Sequence, residues 1–227
     1  MKQTVSRRNF LAAAGTATMA VTAGASLAAE STGTAKNVKI LGIACSPRKG
    51  MTTAKAVQLA LDAAKGVDAR IEVELIDLGE LSIAGYSPKP PQDDFTAILP
   101  KLKDPALGGL IIGSPSYYRG MSSLCKAFIE RCAPLREPTM VLADKPLGVV
   151  AVGAFRNGGQ ELTIEQIQAA MLCFGMVVVG GNAPAFQGAT VLSTKDDISA
   201  DTLGLDTAKK LGAHVAEMAL RLAAKEA

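Results

Sequence analysis

Ser46, Arg48, Thr52 and Thr53 crowd into one short segment, between an apolar run at 38–44 and an alanine-rich helical pattern. Hydroxyls, a guanidinium and the backbone N–H groups of a helix start together solvate an oxyanion, and the positive end of the helix dipole adds to the attraction. The chemistry they suggest is phosphate binding. Neither G-x-x-x-x-G-K-[ST] nor G-x-G-x-x-G is present, which excludes a Walker loop and argues against a dinucleotide Rossmann site. A plain N-cap at Thr52 or Thr53 is the competing reading. It leaves the whole Ser46-Pro47-Arg48-Lys49-Gly50 sequence without a purpose.

Two further clusters carry polar or flexible residues. Gly113-Ser114-Pro115-Ser116-Tyr117-Tyr118-Arg119-Gly120-Met121 places two of the chain's three tyrosines side by side, where a flat aromatic ligand could lie. The alternative is one tyrosine packed in the core and one at the surface. Gly153-Ala154-Phe155-Arg156-Asn157-Gly158-Gly159-Gln160-Glu161 allows tight turns and close backbone approach to a ligand. Ser116 is a poor candidate nucleophile, because G-x-S-x-G is absent and the single histidine, His214, is distant in sequence. No general acid or base is assigned. With one histidine and no C-x-x-C pair, a metal site is not expected.

The elements that must position these clusters follow from hydrophobic periodicity. Short apolar runs predict strands at 38–44, 71–76, 108–113, 147–153 and 176–180. Helical patterns predict helices at 53–65, 94–103, 121–133, 159–174 and 202–223. Runs such as Gly109-Leu110-Ile111-Ile112-Gly113 are apolar on both faces, as buried parallel strands require. Five βα units imply an α/β doubly wound, three-layer sheet whose ligand lies beyond the carboxyl ends of the strands. All three clusters follow strands at that edge. Three prolines make 85–93 a loop. Residues 181–200 read as a second long loop, either a functional surface or a passive connector.

The first 28 residues read as a separate segment. Lys2, Arg7 and Arg8 precede an uncharged stretch from Phe10 to Leu27, and Ser26-Leu27-Ala28 suits a cleavage site. Ser6-Arg7-Arg8-Asn9-Phe10-Leu11 resembles the twin-arginine export signal. A membrane anchor is the alternative, but Ala, Gly and Thr make the stretch weakly apolar for a span. Residues 29–37 read as a linker and 38–227 as one domain, with no stable membrane span expected after cleavage. The whole chain has 24 Lys+Arg and 21 Asp+Glu. Removing the three basic residues of the signal leaves a neutral chain, without the clustered positive charge that nucleic-acid binding needs. Cys45, Cys125, Cys132 and Cys173 are scattered and read as core thiols rather than bridges. Met171, Met176 and Met218 read as core filler, and His214 as a surface or packing residue.

These clusters resemble the flavodoxin-like NADPH-dependent FMN reductase family and the related iron–sulfur flavoproteins, over residues 38–181. The resemblance implies five parallel strands in the order 2-1-3-4-5. It implies that Ser46, Arg48, Thr52 and Thr53 hold the phosphate of FMN. Pro115, Ser116, Tyr117, Tyr118, Gly120 and Met121 would lie along the isoalloxazine, and Arg156, Asn157, Gly158 and Gly159 would form the third flavin loop. Gly85-Tyr86-Ser87-Pro88-Lys89-Pro90-Pro91 occupies the place of the iron–sulfur flavoproteins' cysteine cluster, so no such cluster is expected. The implied activity is an oxidoreductase passing electrons through FMN, with NADPH or NADH as reductant and a small molecule or a redox protein as acceptor. A non-enzymatic electron carrier and a phosphate-binding module without redox chemistry are the alternatives. The resemblance also implies a homo-dimer or homo-tetramer, and the signal implies a bacterial periplasmic location.

Overall fold

The computed structural model describes residues 37–224. The expected signal peptide at 1–28 and nearly all of the linker lie outside the described residues. The strands are β1 (Val38–Ala44), β2 (Ile71–Asp77), β3 (Leu107–Pro115), β4 (Pro146–Gly153), β5 (Val177–Val178) and β6 (Ala189–Leu192). The helices are α1 (Thr52–Lys65), α2 (Phe95–Leu102), α3 (Ser123–Arg131), α4 (Gln160–Leu172) and α5 (Thr202–Ala223). Every strand pairing is parallel, and the order β2-β1-β3-β4-β5 is the flavodoxin-like order expected.

Side-chain alternation along the strands sorts the core into two apolar layers. Leu41, Ile43, Leu110, Ile112, Val149 and Ala151 face α2, α3 and α4, whose Phe95, Phe128, Ile164 and Ile167 complete that layer. Ile40, Ala44, Ile111, Val150 and Val152 face α1 and α5. In α1 the buried residues Thr53, Ala56, Val57, Ala60, Leu61 and Ala64 recur three and four apart, the stripe that one face of a helix presents to a sheet. Among the described residues no helix is long and apolar enough to cross a membrane.

The fifth strand differs from expectation in a way that matters for the site. β5 pairs only with Pro146 and Leu147. The chain then leaves the sheet through Gly180-Gly181-Asn182-Ala183-Pro184, where paired glycines and a proline that lacks an N–H cannot sustain a ladder. It returns as β6, which pairs with Val150–Gly153. Residues 181–200 are therefore not one long loop: a β-branched run within them completes the sheet edge that β5 leaves open. The strand register sets Asp77, Ala44, Gly113 and Val150 in one row across the sheet. The segments after β1, β3, β4 and β6 consequently leave from the same edge.

Three cysteines are core residues as expected, with Cys45, Cys125 and Cys132 fully buried, but Cys173 is exposed. It caps the C-terminus of α4, where the helix turns away from the sheet. Met171 and Met176 are buried and Met218 is half-buried. His214 is half-buried on α5, with Nδ1 3.0 Å from the Gly180 carbonyl oxygen.

Candidate functional site

α1 begins without a side-chain cap. Its N-cap is Met51, and neither threonine hydroxyl closes the first turn. The leading N–H groups of a helix have no intrahelical acceptor, so this end faces the cleft with its donors uncommitted. Thr52, Thr53 and Ser46 are all buried at this point. Ser46 Oγ accepts the Arg48 N–H at 3.2 Å. The loop is held from below by Asp77, whose carboxylate accepts the Gly50 N–H at 2.7 Å and the Gly79 N–H at 2.9 Å.

A cavity of about 440 Å³ opens from this loop along the strand edge. That size lies within the range of small-molecule sites. Of the residues singled out in the sequence, Ser46, Arg48, Thr52, Thr53, Pro115, Ser116, Tyr117, Tyr118 and Gly158 line it. Both tyrosines are exposed, Tyr118 completely, so neither is a core residue.

Gly120, Met121, Arg156, Asn157 and Gly159 do not line the cavity. Gly120 and Met121 turn toward α4, where the Met121 N–H donates to Gln166 Oε1 at 3.3 Å. Arg156 and Asn157 are exposed at the tip of their loop. Gly159 is buried beneath the site at φ +89°, and a Cβ there would come within 2.6 Å of Arg119 Cα. Glycine is required by both the conformation and the contact.

Hydrogen bonds weld the loops after β3 and β4 together. Ser116 Oγ donates to the Gly158 carbonyl at 2.8 Å, and Thr163 Oγ1 lies 3.1 Å from Ser116 Oγ. Gln160 Nε2 donates to the Phe155 carbonyl at 2.7 Å. Ser122, the N-cap of α3, accepts the Cys125 N–H and donates to the Cys45 carbonyl at 2.6 Å, joining α3 to the loop after β1.

The structure adds lining residues that the sequence reading did not assign: Arg119, Val152, Gly153, Ala154, Phe155, Ser193, Lys195 and Asp196. Val152 to Phe155 and Arg119 adjoin the assigned clusters. Ser193, Lys195 and Asp196 come from the turn after β6, inside the stretch read as a loop. Two tight turns of the same kind flank the cleft. Tyr117 and Gly120 exchange N–H···O bonds of 2.9 and 3.0 Å, as do Thr194 and Asp197 at 2.8 and 3.0 Å. Their central residues, Tyr118 and Arg119, then Lys195 and Asp196, all have φ between 50° and 65°. Positive φ at both central positions is the mark of a type I′ turn, which normally favours Asn and Gly. Non-glycine residues held there cost about 1 kcal/mol or more each, the kind of local strain that clusters at binding sites.

An ion pair spans the mouth of the cavity. Arg48 Nη1 donates to Asp196 Oδ1 at 2.7 Å. The Asp196 carboxylate, with Tyr117 also nearby, holds the guanidinium more firmly in its charged form. A phosphate monoester therefore fits this end: an uncapped helix start, three hydroxyls and a permanently charged arginine. An iron–sulfur cluster does not fit. Among the described residues no group of three or more His, Cys, Asp or Glu is placed to hold a metal. Burial, with Cys125 beside it, pushes the Cys45 thiol up, and burial likewise pushes up Cys132. Such thiols resist becoming the thiolates that bind iron.

The loop at 85–93 is anchored instead by a buried ion pair. Arg131 donates to Asp93 and stacks over the Phe95 ring, 5.2 Å from its centroid. Tyr86 N–H donates to Glu130 Oε2 at 2.7 Å.

Comparison with known proteins places this arrangement in a family. The chain is 38% identical over 192 residues to an iron-sulfur flavoprotein of Methanocaldococcus jannaschii, covering 80% of this chain and 97% of the relative. It is 33% identical over 183 residues to an iron-sulfur flavoprotein of Methanosarcina thermophila, covering 77% and 93%. Among solved structures, a flavone reductase superposes with a TM-score of 0.62 at 22% identity, over 80% of this chain and 63% of that one, a likeness of fold. The family described as NADPH-dependent FMN reductase matches residues 38–191. On that match and on its relatives, the chain belongs to the NADPH-dependent FMN reductase family.

Proposed function

We propose that this member of the family is an exported oxidoreductase whose bound FMN accepts electrons from NADPH or NADH and passes them on. FMN is its cofactor and oxidoreduction its class of chemistry. The observation that carries the site assignment is the uncapped start of α1, opening with Ser46, Arg48, Thr52 and Thr53 into a cavity walled by the loops after β3 and β4. When bound, FMN supplies the redox chemistry, as cofactors do in such enzymes. The chain's residues do the rest. The three hydroxyls and the first N–H groups of α1 donate to the phosphate oxygens, and Arg48 balances their charge. Tyr117, Tyr118 and Phe155 wall the ring end. The bond from Ser116 to Gly158 keeps the backbone there fixed.

Arg156, Asn157 and Gly159 take a supporting role at the third loop, and Gly120 and Met121 one at the second. The exposed aromatic residues at the ring end suit the homo-dimer or homo-tetramer that the family resemblance implies. The acceptor is a small molecule or a redox protein in the periplasm, reached by the twin-arginine route.

Anaerobic mixing of the purified protein with NADPH and then NADH tests the activity. A flavin spectrum that bleaches with either donor supports the reductase. A spectrum that neither donor bleaches, but that a redox-protein partner reduces, favours the electron carrier. Colourless protein unable to take up FMN would overturn the cofactor assignment. For export, replacement of Arg7 and Arg8 by Lys should retain the chain in the cytoplasm, and the exported form should begin at Ala29.

A further inference from the structure

The ion pair between Arg48 and Asp196 joins residues 148 positions apart. It links the loop after β1 to the turn after β6, and both partners line the cavity. Their side chains are 49% and 51% exposed. An exposed pair of this kind contributes little to folding, so its placement across the mouth calls for another role.

The two partners are unequally fixed. Asp196 sits on a braced turn. The Ser193 N–H donates to the Gly153 carbonyl at 2.8 Å at its base, Thr194 and Asp197 close it, and Asp197 Oδ1 accepts the Ser199 N–H at 3.1 Å. Arg48 extends from an exposed loop on a long side chain, whose ordering costs roughly 2 kcal/mol of rotamer freedom. Only Nη1 bonds to Asp196. A guanidinium carries five donors in a rigid fork, so one bond to Asp196, with Tyr117 beside it, leaves donors for a second anion. The lining holds Arg48, Arg119 and Lys195 against Asp196 alone. The cleft as a whole therefore remains cationic with the carboxylate in place, and suits the dianion of a phosphate monoester. The family match ends at residue 191, so this turn lies beyond it.

We propose that Asp196 is a positioning residue for the phosphate: it holds Arg48 at the mouth of the cleft so that the remaining guanidinium donors meet the phosphate of the flavin nucleotide. This rests on the cofactor reading above. Pre-setting the side chain reduces the ordering that binding would otherwise require.

The test is fluorescence titration of the full chain, freed of flavin, with FMN and with riboflavin, which lacks the phosphate. Asp196→Asn and Asp196→Ala should each weaken FMN binding about fivefold and leave riboflavin unchanged. Asp196→Glu should restore part of the loss. In an Arg48→Ala background, Asp196→Ala should have no further effect. Three results would overturn the proposal. They are equal weakening of both flavins, tighter FMN binding (which would make Asp196 a competitor for Arg48), and additive losses in the double variant. Failure of the unaltered chain to take up FMN would overturn the cofactor reading itself, and this inference with it.

Discussion

The carboxylate of Asp77, at the end of β2, accepts the backbone N–H of Gly50 at 2.7 Å, and so ties the loop after β1 to the neighbouring strand. Its other oxygen accepts the Gly79 N–H at 2.9 Å, while Gly79 packs so closely that a Cβ would lie 2.4 Å from the Lys49 backbone. The loop that presents Ser46 and Arg48 is thus braced on a strand that contributes nothing to the cavity lining. Asp77→Ala removes both acceptors and should weaken FMN binding about tenfold, since a hydrogen bond to a charged group is worth roughly 1.5–3 kcal/mol. Titration with FMN checks this, with circular dichroism to show that the fold is retained.

Ser122 joins three elements: its hydroxyl caps α3 and donates to the Cys45 carbonyl, and its backbone N–H donates to Ser114 Oγ at 3.0 Å. Ser122→Ala loses the cap and leaves a buried carbonyl without its donor. The expected cost is about 2 kcal/mol, read as a lower urea midpoint at unchanged slope.

Gly159→Ala forces a side chain into a positive-φ position and against Arg119. We expect a loss of at least about 2 kcal/mol in stability. We also expect weaker flavin binding, because the Tyr117–Gly120 turn must move. Urea unfolding and FMN titration on the same variant separate the two effects.

Asp93 governs acid stability at the 85–93 loop. Burial pushes its carboxyl up, but the N–H groups of Ala84 and Phe95 and the Arg131 guanidinium outweigh burial and hold it below the ordinary carboxylate range. A depressed folded-state pKa gives stability that is full above the unfolded value, near 4, and is lost as pH falls through the folded one. The Asp93→Asn variant should therefore lose less stability than the parent between about pH 4 and pH 2. At neutral pH it should be less stable by about 3 kcal/mol, because Arg131 is then buried without its partner. Thermal melts across that range decide it.

Most of the fold was legible in local patterns. The five βα units, their periodicity and nearly all element boundaries follow from burial on two faces of strands and one face of helices, a property each segment carries within itself. The polar loop between β1 and α1 was legible for the same reason. Ser46, Arg48, Thr52 and Thr53 are adjacent in sequence, and a helix start directs its donors regardless of what surrounds it.

Contacts between distant segments were not legible. Nothing local distinguishes Asp196 from the other acidic residues of its stretch; it meets Arg48 because β6 re-enters the sheet beside the end of β4. Gly159 and Thr163 read as parts of a turn and a helix, yet they act as supports for Arg119 and Ser116. The sequence by itself determined the class of fold and the polar loop that opens α1, because those depend on residue types at short spacing. Tertiary structure alone decided which residues line the cavity and which brace it, because strand register and helix packing bring together groups that no spacing relates.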